Sequence, residues 1–212
     1  ALSARFSNPG GFPGTGARGI RWGLLVSWRL AVLACLVLLC AFPAFAKVQA
    51  HRGTIVLPTY PWWPPVKHPY FPATDGRNIY PYPMRDNLSR EKTDRTYQTV
   101  VLENEYLRIT FLPELGGKIH EVTDKTTGQP MFYVNHVIKP GLIGQCGAWT
   151  SGGVEWNTGP QGHTVGCMQP VDVEILPPAK DGSRSVAIGE TERIYRTKWT
   201  VVVTLRPGRS FL

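Results

Sequence analysis

Alternation of apolar and polar residues in the second half of the chain is the feature that most limits its fold. In Leu107–Phe111 (LRITF), leucine, isoleucine and phenylalanine alternate with arginine and threonine. A period of two places the apolar side chains on one face of a β-strand. Similar short segments recur from Tyr97 to Leu205, with no convincing amphipathic helix between them. The pattern predicts an all-β domain of antiparallel strands, as a sandwich or a barrel.

Glycine, proline and aspartate punctuate these segments and set the predicted strand boundaries. Strands are predicted at residues 97–101, 107–111, 118–123, 131–134, 170–176, 185–188, 193–196 and 199–205. Asp124–Gly128 and Lys180–Ser183 are predicted turns between them. Ser210–Leu212 has the pattern of a further strand with no partner after it. We therefore expect residues 97–212 to be the N-terminal part of a β-sandwich that is incomplete at its C-terminus.

A segment rich in proline and aromatic residues, residues 47–96, precedes the predicted strands. Proline fixes φ and removes a backbone donor, which argues against a helix or a central strand here. A disordered linker would not carry so many tyrosine and tryptophan residues. We expect an extended arm that lies across the domain with its rings packed into it.

The first 46 residues have the layout of a secretory signal peptide. Arginines precede an apolar run at residues 30–42 (LAVLACLVLLCAF), and the small-residue sequence Ala44–Ala46 follows it. This layout predicts cleavage after Ala46 and a periplasmic or secreted bacterial protein, with membrane contact only through this segment. An uncleaved membrane anchor is the alternative.

A net charge of +8 is typical of proteins that bind nucleic acid, but the distribution of the charges argues against such a partner. The first 46 residues contain four arginines and no acidic residue, so the rest of the chain carries a net charge of +4. These remaining charges are mixed in sign and form no basic block or nucleic-acid motif. A solvated surface is the better interpretation.

A glycine-rich stretch, Gly144–Thr164 (GQCGAWTSGGVEWNTGPQGHT), carries the residues that are best suited to chemistry. Glycine adopts positive φ without strain, so the chain can fold back closely here. Indole rings stack on sugar faces, while carboxylate, amide and imidazole groups hydrogen-bond hydroxyls or move protons. The stretch predicts a site for a small hydroxylated molecule; the alternative is a glycine-rich loop with one buried tryptophan and a hydrogen-bonded histidine.

The spacing within this stretch predicts which side chains meet. Glu155 and Asn157 are two residues apart, so in an extended segment they share one side and Trp156 takes the other. The Gly-Pro-Gln-Gly turn then brings His163 back towards them. Glu155 and His163 are the acid and base candidates. The candidate ligand-binding residues are Trp149, Trp156, Asn157 and Gln161. No metal or cofactor is predicted.

Two cysteines, Cys146 and Cys167, bracket the glycine-rich stretch. They either form a disulfide in an oxidising compartment or stay as two free buried thiols. Their spacing lacks the paired ligands of a zinc site. His120 follows two glycines on a predicted strand, and we expect a surface or sheet histidine without a catalytic role.

Three segments resemble a known bacterial family: LENEYLRITFLPELGGKIHEVTDKTTGQPMFY, NHVIKPGLIGQCGAWTSGGVEWNTGPQGHT and TLRPGRSFL. They resemble a domain of unknown function in the galactose-mutarotase-like superfamily, which often precedes tetratricopeptide repeats in long exported proteins. The resemblance spans residues 97–212. It implies a large antiparallel β-sandwich, the supersandwich, whose concave face binds carbohydrate. In aldose mutarotases a glutamate base and a histidine acid open the pyranose ring, and that base lies beyond Leu212.

Three functions follow as hypotheses. The first is an exported carbohydrate-binding domain, part of a longer carbohydrate-active protein. The second is a catalytic domain, similar to an aldose epimerase or to a sugar hydrolase or lyase, with Glu155 and His163 as acid and base. The third is a structural or interaction domain that presents downstream repeats. Fold alone does not decide between them.

Overall fold

The computed structural model describes residues 47–62, 79–158, 163 and 165–212, which form ten β-strands and no helix. The strands are β1 Gln49–Thr59, β2 Thr93–Glu103, β3 Leu107–Leu112, β4 Lys118–Asp124, β5 Gln129–Pro130, β6 Gly141–Gly144, β7 Gly147–Trp149, β8 Asp172–Ile175, β9 Arg184–Thr191 and β10 Lys198–Leu205. All pairings between these strands are antiparallel. The all-β prediction is confirmed.

Two of the three sheets enclose the main core. The larger sheet has the order β1-β2-β3-β4-β5 and the smaller has the order β10-β9-β8, while β6 and β7 form a separate hairpin. Ile109 and Phe111 of β3 are buried in one cluster with Val186 and Ile188 of β9. Full burial of each such side chain stabilises the fold by about 1.5–3 kcal/mol. The two-residue alternation therefore produces a β-sandwich.

Both predicted turns are present. Gly128 lies between β4 and β5 with a φ of 69°, and its amide donates to the Asp124 carbonyl at 2.8 Å. Gly182 lies between β8 and β9 with a φ of 79°. The Asp181 carboxylate accepts a hydrogen bond from the Ser183 amide at 3.0 Å beside it. Glycine adopts a positive φ without strain, so a glycine in the sequence marks each of these two turns.

The prediction of an irregular arm over residues 47–96 is wrong for Gln49–Thr59, which forms β1. This strand pairs with β2 along its whole length, from Gln49 opposite Glu103 to Thr59 opposite Thr93. Proline is tolerated because β1 lies at the edge of the sheet and Pro58 is next to its last residue. The same pairing extends β2 back to Thr93, four residues before its predicted start.

Three other local predictions differ from the structure. Residues 131–134 are not a strand, because pairing with β4 ends at Pro130. Arg193–Arg196 is the turn between β9 and β10, where the buried Glu192 carboxylate accepts hydrogen bonds from the Ile194 and Tyr195 amides. The β6–β7 hairpin was not predicted, since its glycines give no alternation.

The rest of the arm is described in part. The ring of Tyr82 is buried in a small cluster with Ile79, Cys146 and Val165, so packing of the arm into the domain is confirmed there. Residues 63–78 and the predicted signal peptide at residues 1–46 lie outside the described residues. Within the described ranges, no helix has the length and apolar character needed to span a bilayer.

Candidate functional site

Strand β4 positions the central part of the glycine-rich stretch. The Val154 amide donates to the Ile119 carbonyl at 2.8 Å, and the Ile119 amide donates back at 3.1 Å. Gly153, immediately before this bridge, has a φ of 70°, and a Cβ there would collide with the Ile119 carbonyl. Glycine is therefore required for the close approach to β4. Glu155 follows directly and extends from the edge of the larger sheet.

Glu155 is the centre of a polar and aromatic cluster. Its Oε2 accepts a hydrogen bond from the Trp149 indole N–H at 2.7 Å, and Nδ1 of His163 lies 3.4 Å from the same oxygen. The Trp149 and His163 rings also contact each other, with centroids 4.8 Å apart and planes inclined by 56°. The His163 side chain is 43% exposed and the Glu155 side chain 19% exposed. The cluster is thus open to solvent through the imidazole.

Asn157 fixes the backbone of His163. Its Oδ1 accepts a hydrogen bond from the His163 amide at 2.9 Å. His163 has a φ of 52°, in the left-handed region that is uncommon for residues with a side chain. The structure therefore brings Glu155, Asn157 and His163 together, as their spacing predicts. Gln161 lies outside the described residues.

Trp156, the residue between Glu155 and Asn157, packs against the sandwich. Its indole N–H donates to the Gly117 carbonyl at 2.9 Å, and its ring packs against the main core. This contact anchors the strand segment to the sandwich. The function of Trp156 as a sugar-stacking surface stays a prediction.

Lys118, at the start of β4, is a charged residue that sequence reasoning missed. It is buried, and its Nζ lies 3.3 Å from the Thr150 carbonyl and 3.4 Å from the Ser151 carbonyl. Burial lowers the pKa of Lys118, and the nearby Glu155 carboxylate partly opposes this effect. A lysine directly after two glycines in a buried strand was the available signal.

Glu190, near the end of β9, is a second carboxyl group that sequence reasoning missed. Its Oε2 accepts a hydrogen bond from Nε2 of Gln169 at 3.4 Å, and Arg85 donates to Oε1 of Gln169 at 2.8 Å. Burial raises the pKa of Glu190. The sequence signal for Glu190 is its spacing along the strand. It follows Val186 and Ile188 at two-residue intervals, so its side chain lies on the same face of the sheet as theirs.

A small cavity lies between these groups, with Glu155 in its lining. Its volume is about 10 Å³, which is close to the minimum for one water molecule. Its lining brings together two carboxyl groups, an ammonium group, a thiol and two indole rings: Glu155, Glu190, Lys118, Cys167, Trp156 and Trp199. Residues far apart in sequence therefore meet at one polar point inside an apolar sandwich.

Cys146 and Cys167 are free thiols in the structure. Burial raises the pKa of Cys146 to about 11 and that of Cys167 to about 12, so both are protonated at neutral pH. In the described part of the chain, no three histidine, cysteine, aspartate or glutamate residues are grouped to hold a metal ion. His120 is a sheet residue as expected, but it is buried rather than on the surface, and burial lowers its pKa.

The chain matches a protein family over most of the described domain. The model of the family described as Domain of unknown function (DUF5107) matches residues 74–212. The chain belongs to the DUF5107 family. The matched region of this DUF5107 chain contains the whole Glu155 cluster and every residue that lines the cavity.

A solved structure supports the fold. The chain is similar to a TPR-domain containing protein from Parabacteroides distasonis ATCC 8503, with a TM-score of 0.67 and 26% sequence identity. The similarity covers 77% of this DUF5107 chain and 28% of that protein. The chain thus spans less than a third of the length of that protein.

Proposed function

We propose that this chain is an exported carbohydrate-binding domain of the galactose-mutarotase-like type, within a longer carbohydrate-active protein. The observation that carries the proposal is the convergence of Trp149 and His163 on one oxygen of Glu155, at 2.7 and 3.4 Å. The antiparallel sandwich is the architecture that the family resemblance implies.

The chemistry of the cluster suits a neutral sugar. Carbohydrates present hydroxyl groups, which donate and accept hydrogen bonds, and C–H faces, which pack on aromatic rings. The partly exposed imidazole of His163 and the exposed Asn157 supply polar contacts, and Trp149 supplies an aromatic surface. Groups of this kind would each need a buried partner in a dry core, whereas here they lie at an open edge.

The longer protein is proposed from the chain's relatives and its N-terminal pattern. The solved relative is a TPR-domain containing protein, and this chain spans 28% of its length. We infer that such repeats follow this domain, in keeping with the family resemblance. The arginine-flanked apolar run before Ala46 supports export to the periplasm or beyond the cell.

Binding to a glycan array, followed by calorimetry with the best ligand, tests the proposal directly. Glu155→Gln and His163→Ala should each weaken binding roughly 10- to 100-fold, since a hydrogen bond to a charged group contributes about 1.5–3 kcal/mol. Glu91→Gln and His51→Ala are matched controls at exposed positions and should bind like the parent.

Two results would contradict the proposal. The first is an array on which the folded chain retains no glycan. The second is parent-like affinity in both site variants, which would place binding away from this cluster. Melting temperatures of all four variants separate loss of binding from loss of folding.

A catalytic function is the second candidate, and one observation favours it. Glu155 contacts His163, and a second carboxyl group, that of Glu190, lines the cavity beside Glu155. Such groups can transfer protons at a sugar ring in an isomerase similar to an aldose 1-epimerase, or in a hydrolase or lyase. Proton NMR of freshly dissolved sugars would show faster anomer exchange with the parent than with Glu155→Gln. Equal rates would remove the epimerase hypothesis.

A further inference from the structure

Three side chains that line the cavity have a polar atom without a hydrogen-bond partner among the described residues. These atoms are Oε1 of Glu155, Oε1 of Glu190 and Nε1 of Trp199, and each is shielded from solvent. The Trp199 indole N–H lies near enough to Glu190 to favour its ionised form, but without hydrogen-bond geometry, so it stays available as a donor. A buried polar group gains free energy from any partner that reaches it.

The charges around the cavity disfavour ions of either sign. The buried ammonium of Lys118 offsets the attraction of the Glu155 and Glu190 carboxyl groups for a cation, and these carboxyl groups repel an anion. At about 10 Å³, the cavity has room for one oxygen atom and its hydrogens. Size and charge together select a small neutral group that can both donate and accept hydrogen bonds.

We propose that this cavity is a binding site for one hydroxyl-type oxygen, supplied either by a water molecule or by a hydroxyl group of a bound carbohydrate. The carbohydrate source rests on the proposed function, and the water source does not. In either case the oxygen bridges Glu155 and Glu190 and thereby connects the Trp149–His163 cluster, through Glu155, to strand β9.

The available donors and acceptors fit both sources. A water molecule donates two hydrogen bonds, to Oε1 of Glu155 and Oε1 of ionised Glu190, and accepts one from the Trp199 indole N–H. A sugar hydroxyl donates only one, so Glu190 would then be protonated and donate to it. Burial raises the pKa of Glu190, which makes the protonated form more accessible.

Gly166 keeps the space open. It lines the cavity, and a Cβ at this position would collide with Oε1 of Glu190. Gly166→Ala should therefore push the carboxyl tip into the cavity. Gly141→Ala is the matched control, because a Cβ there would meet no atom within 4 Å. Glu190→Met replaces the carboxyl group with an apolar group of similar length and serves as a second variant if Gly166→Ala does not fold.

High-resolution crystal structures of the chain, grown alone and soaked with D-galactose or D-glucose, test the inference. We expect one oxygen peak within hydrogen-bond distance of both carboxyl groups. A peak in sugar-free crystals identifies water as the source. A peak found only in soaked crystals and continuous with ring density identifies the carbohydrate. The peak should be lost in Gly166→Ala and retained in Gly141→Ala.

Three results would overturn the inference: no peak with or without sugar, an anomalous signal that shows a metal ion, or an unchanged peak in folded Gly166→Ala. If Gly166→Ala does not fold, Glu190→Met decides, because loss of the oxygen peak or its movement away from residue 190 supports the bridge and an unmoved peak opposes it. If the crystals show a water peak and the chain binds no glycan, this inference is supported and the proposed function is rejected.

Discussion

The Asn104 side chain ties the turn between β2 and β3 to the segment after β10. Its Oδ1 accepts hydrogen bonds from the amides of Tyr106 and Leu107 at 2.9 and 2.8 Å. Its Nδ2 donates to the carbonyls of Arg206 and Arg209 at 2.9 and 2.8 Å. All four hydrogen-bonding positions of the amide are used, and Asn104 is buried. Asn104 thereby helps to join the two sheets of the sandwich at this end.

Asn104→Ala should lower the free energy of unfolding by about 3 kcal/mol. Four hydrogen bonds at about 1 kcal/mol each set the upper part of this estimate. The carbonyls of the exposed Arg206 and Arg209 recover part of the loss by bonding to water. For a domain of this size the change corresponds to a fall in melting temperature of about 6–12 °C. Thermal and urea unfolding of the parent and the variant at neutral pH measure it.

Asn104→Asp separates hydrogen bonding from side-chain size. The introduced carboxylate keeps both acceptor contacts but faces the Arg206 and Arg209 carbonyls with an oxygen in place of a donor. Its folded pKa should therefore be raised, so the variant is most stable at low pH and loses stability as pH rises through that pKa. Asn87→Ala, at an exposed position, is the control. A loss below about 0.5 kcal/mol in Asn104→Ala, or no pH dependence in Asn104→Asp relative to the parent, would refute the reasoning.

Further predictions concern the residues around the site. Gly153→Ala should lower the free energy of unfolding by about 2–4 kcal/mol in urea, because Gly153 has a positive φ and a Cβ there would collide with the Ile119 carbonyl; a parent-like midpoint would contradict this. Burial raises the pKa of Glu190, so its contribution to stability is most favourable below the unfolded pKa and is lost as pH rises through the folded pKa. Glu190→Gln should therefore flatten the fall in melting temperature between about pH 4 and pH 8, whereas a parent-like slope would oppose the assignment. Cys146 and Cys167 should react with a thiol reagent at pH 8 only after unfolding, because burial raises their pKa to about 11 and 12; fast reaction in the folded protein would show that the thiols are accessible.

The fold could be predicted where its determinants are local. Alternation within β3 and β4 depends on neighbouring residues only, and the turn glycines mark their own ends. Strand β1 is hard to predict although Thr54–Val56 is β-branched, because prolines follow it and only its position at the sheet edge makes them tolerable. The β6–β7 hairpin was missed because glycine has no side chain to alternate.

The candidate site also has one part that the local sequence predicts and one part that it does not. Glu155, Asn157 and His163 lie within nine residues of one another, so the period of an extended strand and the Gly-Pro-Gln-Gly turn sequence predict their contact. Lys118 and Glu190 reach the same cavity from β4 and β9, which belong to different sheets. Their meeting depends on how the sheets face each other across the core, and no local pattern encodes that arrangement.

Arg85 shows how the proline-rich segment contributes to this arrangement. Its amide donates to the Cys146 carbonyl at 2.6 Å, and its carbonyl accepts from the Ala148 amide at 2.8 Å, so the segment lies against β7. Its guanidinium reaches Gln169, which in turn donates to Glu190. The strand that carries the aromatic part of the site and the carboxyl group at the cavity are thus held in place by the same arginine. A segment without any predicted site residue therefore determines how the two parts of the site are spaced.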